Sequence, residues 1–126
     1  MPLTYVVDRE RGLVRTTVTG PVAADEFLPY LESLADGGLI GWPQIVDARN
    51  AALRITPQDV RRFVFIIDGV RARHGISRTA FITEDDATYG MLRMYSALGE
   101  SADPGFAVFR HAADAEAWVA PSAPPT

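Results

Sequence analysis

The 126-residue sequence contains no cysteine and no lysine, so all twelve of its basic residues are arginine. Without cysteine the chain has no disulfide framework, no thiolate nucleophile and no cysteine-bound metal. Without lysine it has no Schiff-base chemistry, no phosphate-loop lysine and no lysine general base. These two absences remove several large classes of enzyme.

Long hydrophobic runs are also missing. No stretch approaches the about 18 apolar residues that span a bilayer, and the N-terminus lacks the apolar core of a signal peptide. The sequence therefore predicts a cytoplasmic protein with no membrane insertion. Its hydrophobic fraction of 48% and charged fraction of 22% are typical of a soluble globular protein. We expect one domain over residues 1–120 and a disordered tail over residues 121–126.

Motifs that signal catalysis are scarce. The only histidines, His74 and His111, do not have the spacing of metal ligands. The sequence has no Gly-x-Ser-x-Gly motif, no glycine-rich phosphate loop and no His-Glu-x-x-His motif. We therefore expect no cofactor and no metal, and a binding module rather than an enzyme.

Charge is distributed unevenly along the chain, although the net charge is only −4. Between residues 49 and 78 seven arginines face two acids, Asp59 and Asp68, whereas the rest of the chain has fourteen acids and five arginines. This basic segment either binds an anionic ligand or acidic partner, or it is a solvated helix face balanced by acids elsewhere. We favour the second interpretation. Nucleic-acid binding is not expected, because the domain is acidic and lacks a basic-aromatic motif.

The first third of the chain has the pattern of a hairpin followed by a helix. Leu3–Val7 and Leu13–Thr19 are rich in β-branched residues and are joined through Gly12, and Gly20-Pro21 ends the second strand. Apolar residues at helical spacing then predict a helix over Asp25–Asp36, which stops at Gly37-Gly38.

A strand, a turn and a long helix form the centre of the chain. Gln44–Asp47 is an apolar run that ends in a carboxylate, Arg49–Arg54 is a predicted polar turn, and Thr56 opens a helix that ends before Gly75. The apolar stripe of this helix consists of Val60, Phe63, Val64, Ile67 and Val70. Phe65 lies opposite that stripe, so it is either covered by the chain or offered to a partner.

The last third alternates strands and helices. We predict strands at Arg78–Thr83 and Phe106–Phe109, and helices at Ala87–Leu98 and Ala112–Val119. In the first of these helices we expect Met91, Met94, Tyr95 and Leu98 to face inward, and Tyr89, Leu92 and Arg93 to face solvent. The resulting order, β-β-α-β-α-β-α-β-α, predicts an α/β fold with a five-stranded mixed, mainly parallel sheet and four helices.

Several local motifs resemble those of one family. They are the Asp47-x-Arg49 step, the helix opening Ile55–Asp59, the run Tyr89-Gly90-Met91-Leu92-Arg93-Met94, and Phe109-Arg110 followed by Ala117-Trp118-Val119. With the order of elements, they resemble the STAS superfamily, in particular its SpoIIAA-like (Sec14/CRAL-TRIO-like) branch of small bacterial proteins. The resemblance implies a regulatory, non-enzymatic module.

The turn before Thr56 differs from the family pattern. Anti-sigma-factor antagonists carry a phosphorylatable serine in an Asp-Ser-Ser-Gly-like turn at this place, where the present chain reads Arg54-Ile55-Thr56-Pro57. Thr56 is therefore either the N-cap of the helix, with Pro57 at the first helical position, or the phosphoacceptor of a switch. We favour the N-cap.

Two pairs of residues are candidates for binding. Asp47 and Arg49 follow a central strand, so they either hold a polar or anionic ligand or pair with each other. Tyr89 and Arg93 form a patch that is either a protein-binding hot spot, a cleft rim, or a local stacking pair. Glu84-Asp85-Asp86 suggests a helix cap at Asp86 more than a metal site.

The predicted partner is a protein, or a small anionic or apolar ligand, and we expect a homodimer because Phe65 and the Tyr89/Arg93 patch are offered at the surface. An alternative is a Sec14-like carrier that holds an apolar ligand in a cleft lined by Met91, Met94 and Phe63.

Overall fold

The structure, a computed structural model, describes residues 3–54, 56–59, 61–62, 65, 69, 73, 78–98 and 105–119. The strands are β1 (Leu3–Asp8), β2 (Leu13–Ala23), β3 (Gln44–Arg54), β4 (Thr79–Ile82) and β5 (Phe106–Phe109). The helices are α1 (Phe27–Asp36), preceded by a 3-10 turn at Ala24–Glu26, then α2, α3 (Asp86–Leu98) and α4 (Ala112–Val119). The described part of α2 comprises residues 57–59, 61–62, 65, 69 and 73. No helix in the described part of the chain is long and apolar enough to cross a membrane.

The five strands form one sheet in the order β1-β2-β3-β4-β5. β1 runs antiparallel to β2, and the other neighbours are parallel. Sequential parallel strands need a crossover on every step, which is why a helix follows each of β2, β3 and β4. The predicted five-stranded, mainly parallel α/β architecture is confirmed.

Two strands are longer than the sequence pattern predicts. β2 continues through Gly20-Pro21, and the residues predicted as a polar turn, Arg49–Arg54, form the second half of β3. The two extensions pair with each other from Thr19 opposite Asn50 to Ala23 opposite Arg54. Proline is tolerated here because β1 begins at Leu3, opposite Val18, so among the described residues β2 has only β3 as a neighbour at Pro21. The predicted end of β2 and the predicted turn are therefore wrong.

The sheet has a core on each face. On one face the largest cluster includes Val14, Val18, Val46 and Phe81 of the sheet together with Tyr30 and Leu34 of α1 and Leu92 of α3. On the other face α4 contributes Ala115 and Val119, which pack on Leu13, Ile45, Ala80 and Ile82. Both cores consist of the apolar runs that the sequence assigned to strands. The described helices that connect strands thus share one face, and α4 covers the other.

Helix α1 ends in a Schellman motif. Gly38 has a φ of 72°, the left-handed conformation that glycine adopts without strain. Its N–H donates to Ala35 O over 3.1 Å, and the N–H of Leu39 donates to Leu34 O over 2.8 Å. Leu39 and Leu34 are both buried in the same core, so the glycine stop predicted from the sequence also supplies a hydrophobic contact.

Helix α2 begins with the predicted cap. The N–H of Asp59 donates to Thr56 Oγ1 over 3.1 Å, and the N–H of Thr56 donates to Asp59 Oδ2 over 3.0 Å. This reciprocal pair is a capping box and confirms Thr56 as the N-cap. Some predictions lie outside the described residues, namely the apolar stripe (Val60, Phe63, Val64, Ile67 and Val70), the helix stop at His74 and Gly75, and the tail at residues 121–126.

Helix α3 is rotated relative to the predicted orientation. Leu92, expected in solvent, is only 6% exposed, whereas Met94, expected in the core, is 36% exposed. Tyr89 is half-buried and packs against the core beside Leu92. Apolar residues occur on several sides of this helix, so periodicity alone could not choose the buried side. The side chains of Tyr95 and Leu98 lie outside the described set.

Candidate functional site

The carboxyl edge of the sheet brings together residues that are far apart in sequence. Asp47 lies opposite Ile82, the last residue of β4, and Ile82 lies opposite Phe109, the last residue of β5. Thr83 and Arg110, which follow those strands, therefore reach the same edge as Asp47. In open α/β sheets this is the edge at which ligands bind.

Asp47 and Arg49 were predicted to follow the central strand, but both lie inside β3, which continues to Arg54. Beside the end of β4 they bind each other. Arg49 Nε donates to Asp47 Oδ1 over 2.9 Å, Arg49 Nη2 donates to Oδ2 over 2.7 Å, and the backbone N–H of Arg49 also donates to Oδ1 over 3.1 Å. These hydrogen bonds to Arg49 lower the pKa of Asp47, so its carboxylate is held ionised. Of the predicted alternatives, the structure shows the mutual pair.

Tyr89 contacts two guanidinium groups. Arg93 Nη1 donates to the Tyr89 hydroxyl over 3.4 Å, and Arg93 Cζ lies 5.9 Å from the ring centroid. On the same ring Arg110 Cζ lies 4.3 Å from the centroid, which is a close cation-π contact. The predicted Tyr89/Arg93 stacking is present, and Arg110 extends it into a cluster of three residues, which we call the Tyr89 cluster.

Arg110 is the functional candidate that sequence reasoning missed. Arg110 Nη1 lies 2.7 Å from Asp86 Oδ1, a pair in which the Asp86 side chain is 89% exposed. The available signal was its position directly after β5, since the carboxyl ends of parallel strands meet at one edge. The contact with Tyr89 itself depends on how α3 packs beside β5.

The acidic run before α3 is used locally. Asp85, not the predicted Asp86, caps the helix, because its Oδ2 accepts bonds from the N–H and the hydroxyl of Thr88, both at 2.8 Å. These bonds lower the pKa of Asp85. Asp86 is the first helical residue and pairs with Arg110. Among the residues that the structure describes, no three histidine or acidic side chains are grouped to hold a metal ion.

Thr56 and Phe65 are not part of the Tyr89 cluster. The Thr56 hydroxyl accepts the capping bond of α2, and its phosphorylation stays a prediction that intact mass after kinase treatment would test. Phe65 is 80% exposed on α2 and, within the described set, makes no ring contact with Tyr89. Of the predicted apolar cleft, Met94 faces solvent, Met91 is half-buried and Phe63 lies outside the described residues.

These features define an α/β domain with a mainly parallel sheet and a polar carboxyl edge. No protein-family model and no curated protein matches the chain. Among solved structures it is similar to an uncharacterized protein of the DUF3478 family from Shewanella loihica PV-4, which has a SpoIIAA-like fold. The sequence identity is 16%, 93% of each chain is covered, and the TM-score is 0.58. The chain therefore has a SpoIIAA-like fold, as its motifs indicated, and at this identity the likeness concerns the fold alone.

Proposed function

We propose that this chain is a non-enzymatic, regulatory binding module whose contact surface for a partner protein is the Tyr89 cluster. The observation that carries the proposal is the contact of Tyr89 with the guanidinium groups of both Arg93 and Arg110 at the carboxyl edge. Tyrosine and arginine are the residues most enriched among the energetically dominant contacts of protein interfaces.

The state of the nearby carboxylates favours binding over acid-base catalysis. The pKa values of Asp47 and Asp85 are both lowered by hydrogen bonds, so both groups are ionised at neutral pH and engaged as acceptors. A general acid or base works best with a pKa close to the operating pH, which requires a shift in the opposite direction. These carboxylates instead hold Arg49 and the start of α3 in place.

The arginines of the cluster retain capacity for an external acceptor. Arg93 has no carboxylate partner among the described residues, and it donates one long bond to the Tyr89 hydroxyl. Arg110 pairs with Asp86, but that carboxylate is almost fully in water and is exchangeable at little cost. An acidic group of a partner protein can therefore bind both guanidinium groups while the partner packs on the phenol ring.

Preorganisation supports the same conclusion. Tyr89 is half-buried against the core, and Arg110 covers its ring at 4.3 Å, so the side chains that would contact a partner are already ordered. Binding then loses less side-chain entropy than it would with free arginines.

The test is affinity capture from the native host with the purified chain as bait, followed by cross-linking of the captured protein. We expect Tyr89→Ala/Arg93→Ala to lose the partner that the wild-type chain retains, and the cross-links to map to residues 85–93 and Arg110. The matched control is Arg9→Ala/Arg11→Ala, which removes two exposed arginines from the β1–β2 turn at the opposite edge. Capture of the same proteins by the Tyr89 variant and the wild type would contradict the proposal.

A small ligand is the competing outcome. Native mass spectrometry of the chain purified from its own host would show such a ligand as an adduct. An adduct that disappears in Tyr89→Ala/Arg93→Ala, with no captured protein, would replace the partner protein by a small molecule at the same cluster.

A further inference from the structure

The outer face of α2 carries a basic stripe around an exposed aromatic ring. Its described residues Gln58, Arg62, Phe65, Gly69 and Arg73 follow one another at steps of four, three, four and four, which places them on one side of a helix. Phe65 is 80% exposed, and Arg61 is exposed beside the stripe. A large aromatic ring among solvent-facing arginines has the composition of a docking surface.

The arginines of this stripe form no ion pair within the part of the chain that the structure describes. Arg61, Arg62 and Arg73 make no ion pair with any residue that the structure describes, and neither does Arg54 at the end of β3. Among the described residues, no acid balances the charge of these four arginines. A Cβ atom at Gly69 would meet only Arg73 Nη1, at 4.0 Å, so the Arg73 guanidinium lies over this glycine, one turn from Phe65.

Helix α1 presents the opposite charge. Glu32 and Asp36 are exposed at its outer side, Asp25 is exposed in the 3-10 turn that precedes it, and within the described residues none of the three forms an ion pair. The helix contains no basic residue. Glu32 and Asp36 are one turn apart, roughly 6 Å along the helix.

The two helices are neighbours on one face of the sheet. α1 connects β2 to β3 and α2 connects β3 to β4, and both connections join adjacent parallel strands. Parallel crossovers are right-handed, so successive ones in the same direction lie side by side on the same face. The face is the one on which α1 and α3 pack. An acidic outer surface thus lies beside a basic one.

From this arrangement we propose that the α1/α2 face binds a second copy of the same chain. A two-fold axis that lies between the two helices, parallel to both, places α1 of each copy over α2 of the other. Glu32 of one copy then faces Arg62 of the other, and Phe65 is covered at both sites. Such an interface is isologous and closes as a dimer.

The first experiment is light scattering combined with sedimentation of the full chain at micromolar concentration. We expect a particle of twice the 13.7 kDa chain mass at low salt. Exposed ion pairs are screened by salt, so the dissociation constant of the dimer should increase as NaCl is raised. A monomer at both low salt and high protein concentration would overturn the proposal.

Charge reversal gives a sharper test. Arg62→Glu and Glu32→Arg should each be monomeric alone, because every α1–α2 contact in either homodimer then contains a like-charge pair. An equimolar mixture of the two variants should form a heterodimer, since each contact regains opposite charges. A mixture that stays monomeric, or single variants that remain dimeric, would contradict this geometry.

The contribution of Phe65 is tested with Phe65→Ala. Loss of one buried aromatic side chain at each of two equivalent sites should weaken dimerisation by at least about tenfold. The matched control is Arg93→Glu, which reverses an exposed arginine of the Tyr89 cluster and should leave the dimer unchanged. Circular dichroism of each variant confirms that the fold is retained.

Two other occupants are distinguished by the same material. If the wild-type chain stays monomeric and binds polyglutamate, the stripe binds an acidic protein. If it stays monomeric and binds vesicles that contain phosphatidylglycerol, the stripe binds an anionic membrane. Either result would overturn self-association. If Tyr89→Ala/Arg93→Ala leaves dimerisation unchanged, the α1/α2 face forms the dimer without the Tyr89 cluster, as proposed.

Discussion

The arginines of the sheet and those of α2 contrast in how they are used. Arg15 and Arg49 lie on strands and Arg78 and Arg110 lie at strand ends, and each donates to an oxygen of this chain. The exposed arginines of α2 have no such acceptor among the described residues. A strand holds its side chains in a register that repeats against neighbouring strands, so acids can be placed opposite arginines. A helix turns one stripe of residues away from the protein, where charge meets only water or another molecule.

Among the paired arginines, Arg15 connects segments that are far apart in sequence. Its Nη2 donates to Glu116 Oε1 over 3.3 Å, and its Nε donates to Asp8 Oδ2 over 3.3 Å. Glu116 is 101 residues further along the chain, on α4. One guanidinium thus ties the opening hairpin to the last helix. Within the described ranges, no arginine of the α2 stripe makes a comparable contact, which leaves Arg62 and Arg73 available for binding.

The largest expected effect concerns the buried polar groups of the paired region. Tyr30 donates its hydroxyl to Gln44 Oε1 over 3.1 Å, and the Thr16 hydroxyl lies 2.6 Å from the Tyr30 hydroxyl oxygen. Tyr30→Phe should lower the free energy of unfolding by about 1–3 kcal/mol, because it leaves two buried polar groups without a partner. Urea unfolding followed by circular dichroism measures it.

The control for that variant is Tyr5→Phe. Tyr5 bonds Ser33 at the surface over 3.1 Å, so water can replace the lost partner and we expect a much smaller change. Burial also raises the pKa of Tyr30 to about 12. The difference between the alkaline ultraviolet titrations of wild type and Tyr30→Phe should therefore show a phenol that ionises near that pH. Equal destabilisation by both substitutions would mean that burial of the bond is unimportant.

A smaller effect on stability is expected at the N-cap of α2, which lies between strand β3 and the exposed arginines of α2. Thr56→Ala removes the acceptor of the Asp59 N–H and should cost about 1 kcal/mol of unfolding free energy. Thr56→Ser keeps the hydroxyl and should retain most of the stability. If serine and alanine destabilise equally, the capping bond does not contribute.

Removal of a paired arginine should have a modest effect. Arg15→Met keeps the aliphatic stem but loses the bonds to Glu116 and Asp8, and the Arg15 side chain is 37% exposed. We expect a loss of about 0.5–1 kcal/mol at pH 7 and low salt. Arg11→Met is the control, because Arg11 is 66% exposed and lies 3.7 Å from Glu116. Chemical unfolding of the two variants should rank Arg15→Met as the less stable.

The same pair predicts a pH dependence. Hydrogen bonds to Arg15 lower the pKa of Glu116 below its usual 4.5, and bonds to Arg11 and Arg15 lower that of Asp8 below 3.8. A carboxylate with a lowered pKa in the folded state stabilises the protein above its unfolded pKa and loses that effect as pH falls through the folded value. The difference between wild type and Arg15→Met should therefore be full at pH 7 and shrink below about pH 4. A constant difference down to pH 2 would mean that packing, not charge, is responsible.

The smallest effect is expected in the unpaired region. Arg62→Glu should change the unfolding free energy of the monomer by less than about 0.5 kcal/mol, because the side chain is exposed and has no described partner. The measurement requires a dilution at which the wild type is monomeric. A large destabilisation there would show that Arg62 is a structural residue, and the contrast between the two groups of arginines would disappear.

The errors of sequence reasoning have identifiable causes. Gly20-Pro21 is an ordinary strand stop, and β2 continues past it because β3 also continues, with Gly20 opposite Ala51 and Pro21 opposite Ala52. Asp85 and Asp86 are chemically equivalent caps, and the choice between them depends on where the chain leaves β4. Leu92 was assigned to solvent because it lies opposite the predicted stripe of Met91, Met94 and Leu98. Apolar residues occur on several sides of α3, so packing on the sheet decides which side is buried.

The candidate sites were predictable to different degrees. Tyr89 with Arg93, Asp47 with Arg49, and the Thr56 cap are local pairs within four residues, and each was visible as spacing. Arg110 joins the Tyr89 cluster across 21 residues of sequence, and that contact exists because β5 lies beside β4 and α3 packs on β5. The excess of arginine near α2 was visible as composition, but its lack of partners was not.

The order of the residues by itself determined the succession of strands and helices, where α1 ends, where α2 begins, and that the sheet is mainly parallel. These features depend on period, β-branching, glycine and capping, which act over a few residues. The tertiary structure alone decided how far β2 and β3 extend, which side of α3 is buried, and which arginines are paired. Those outcomes depend on contacts between segments far apart in sequence, and no local pattern specifies which segments meet in space.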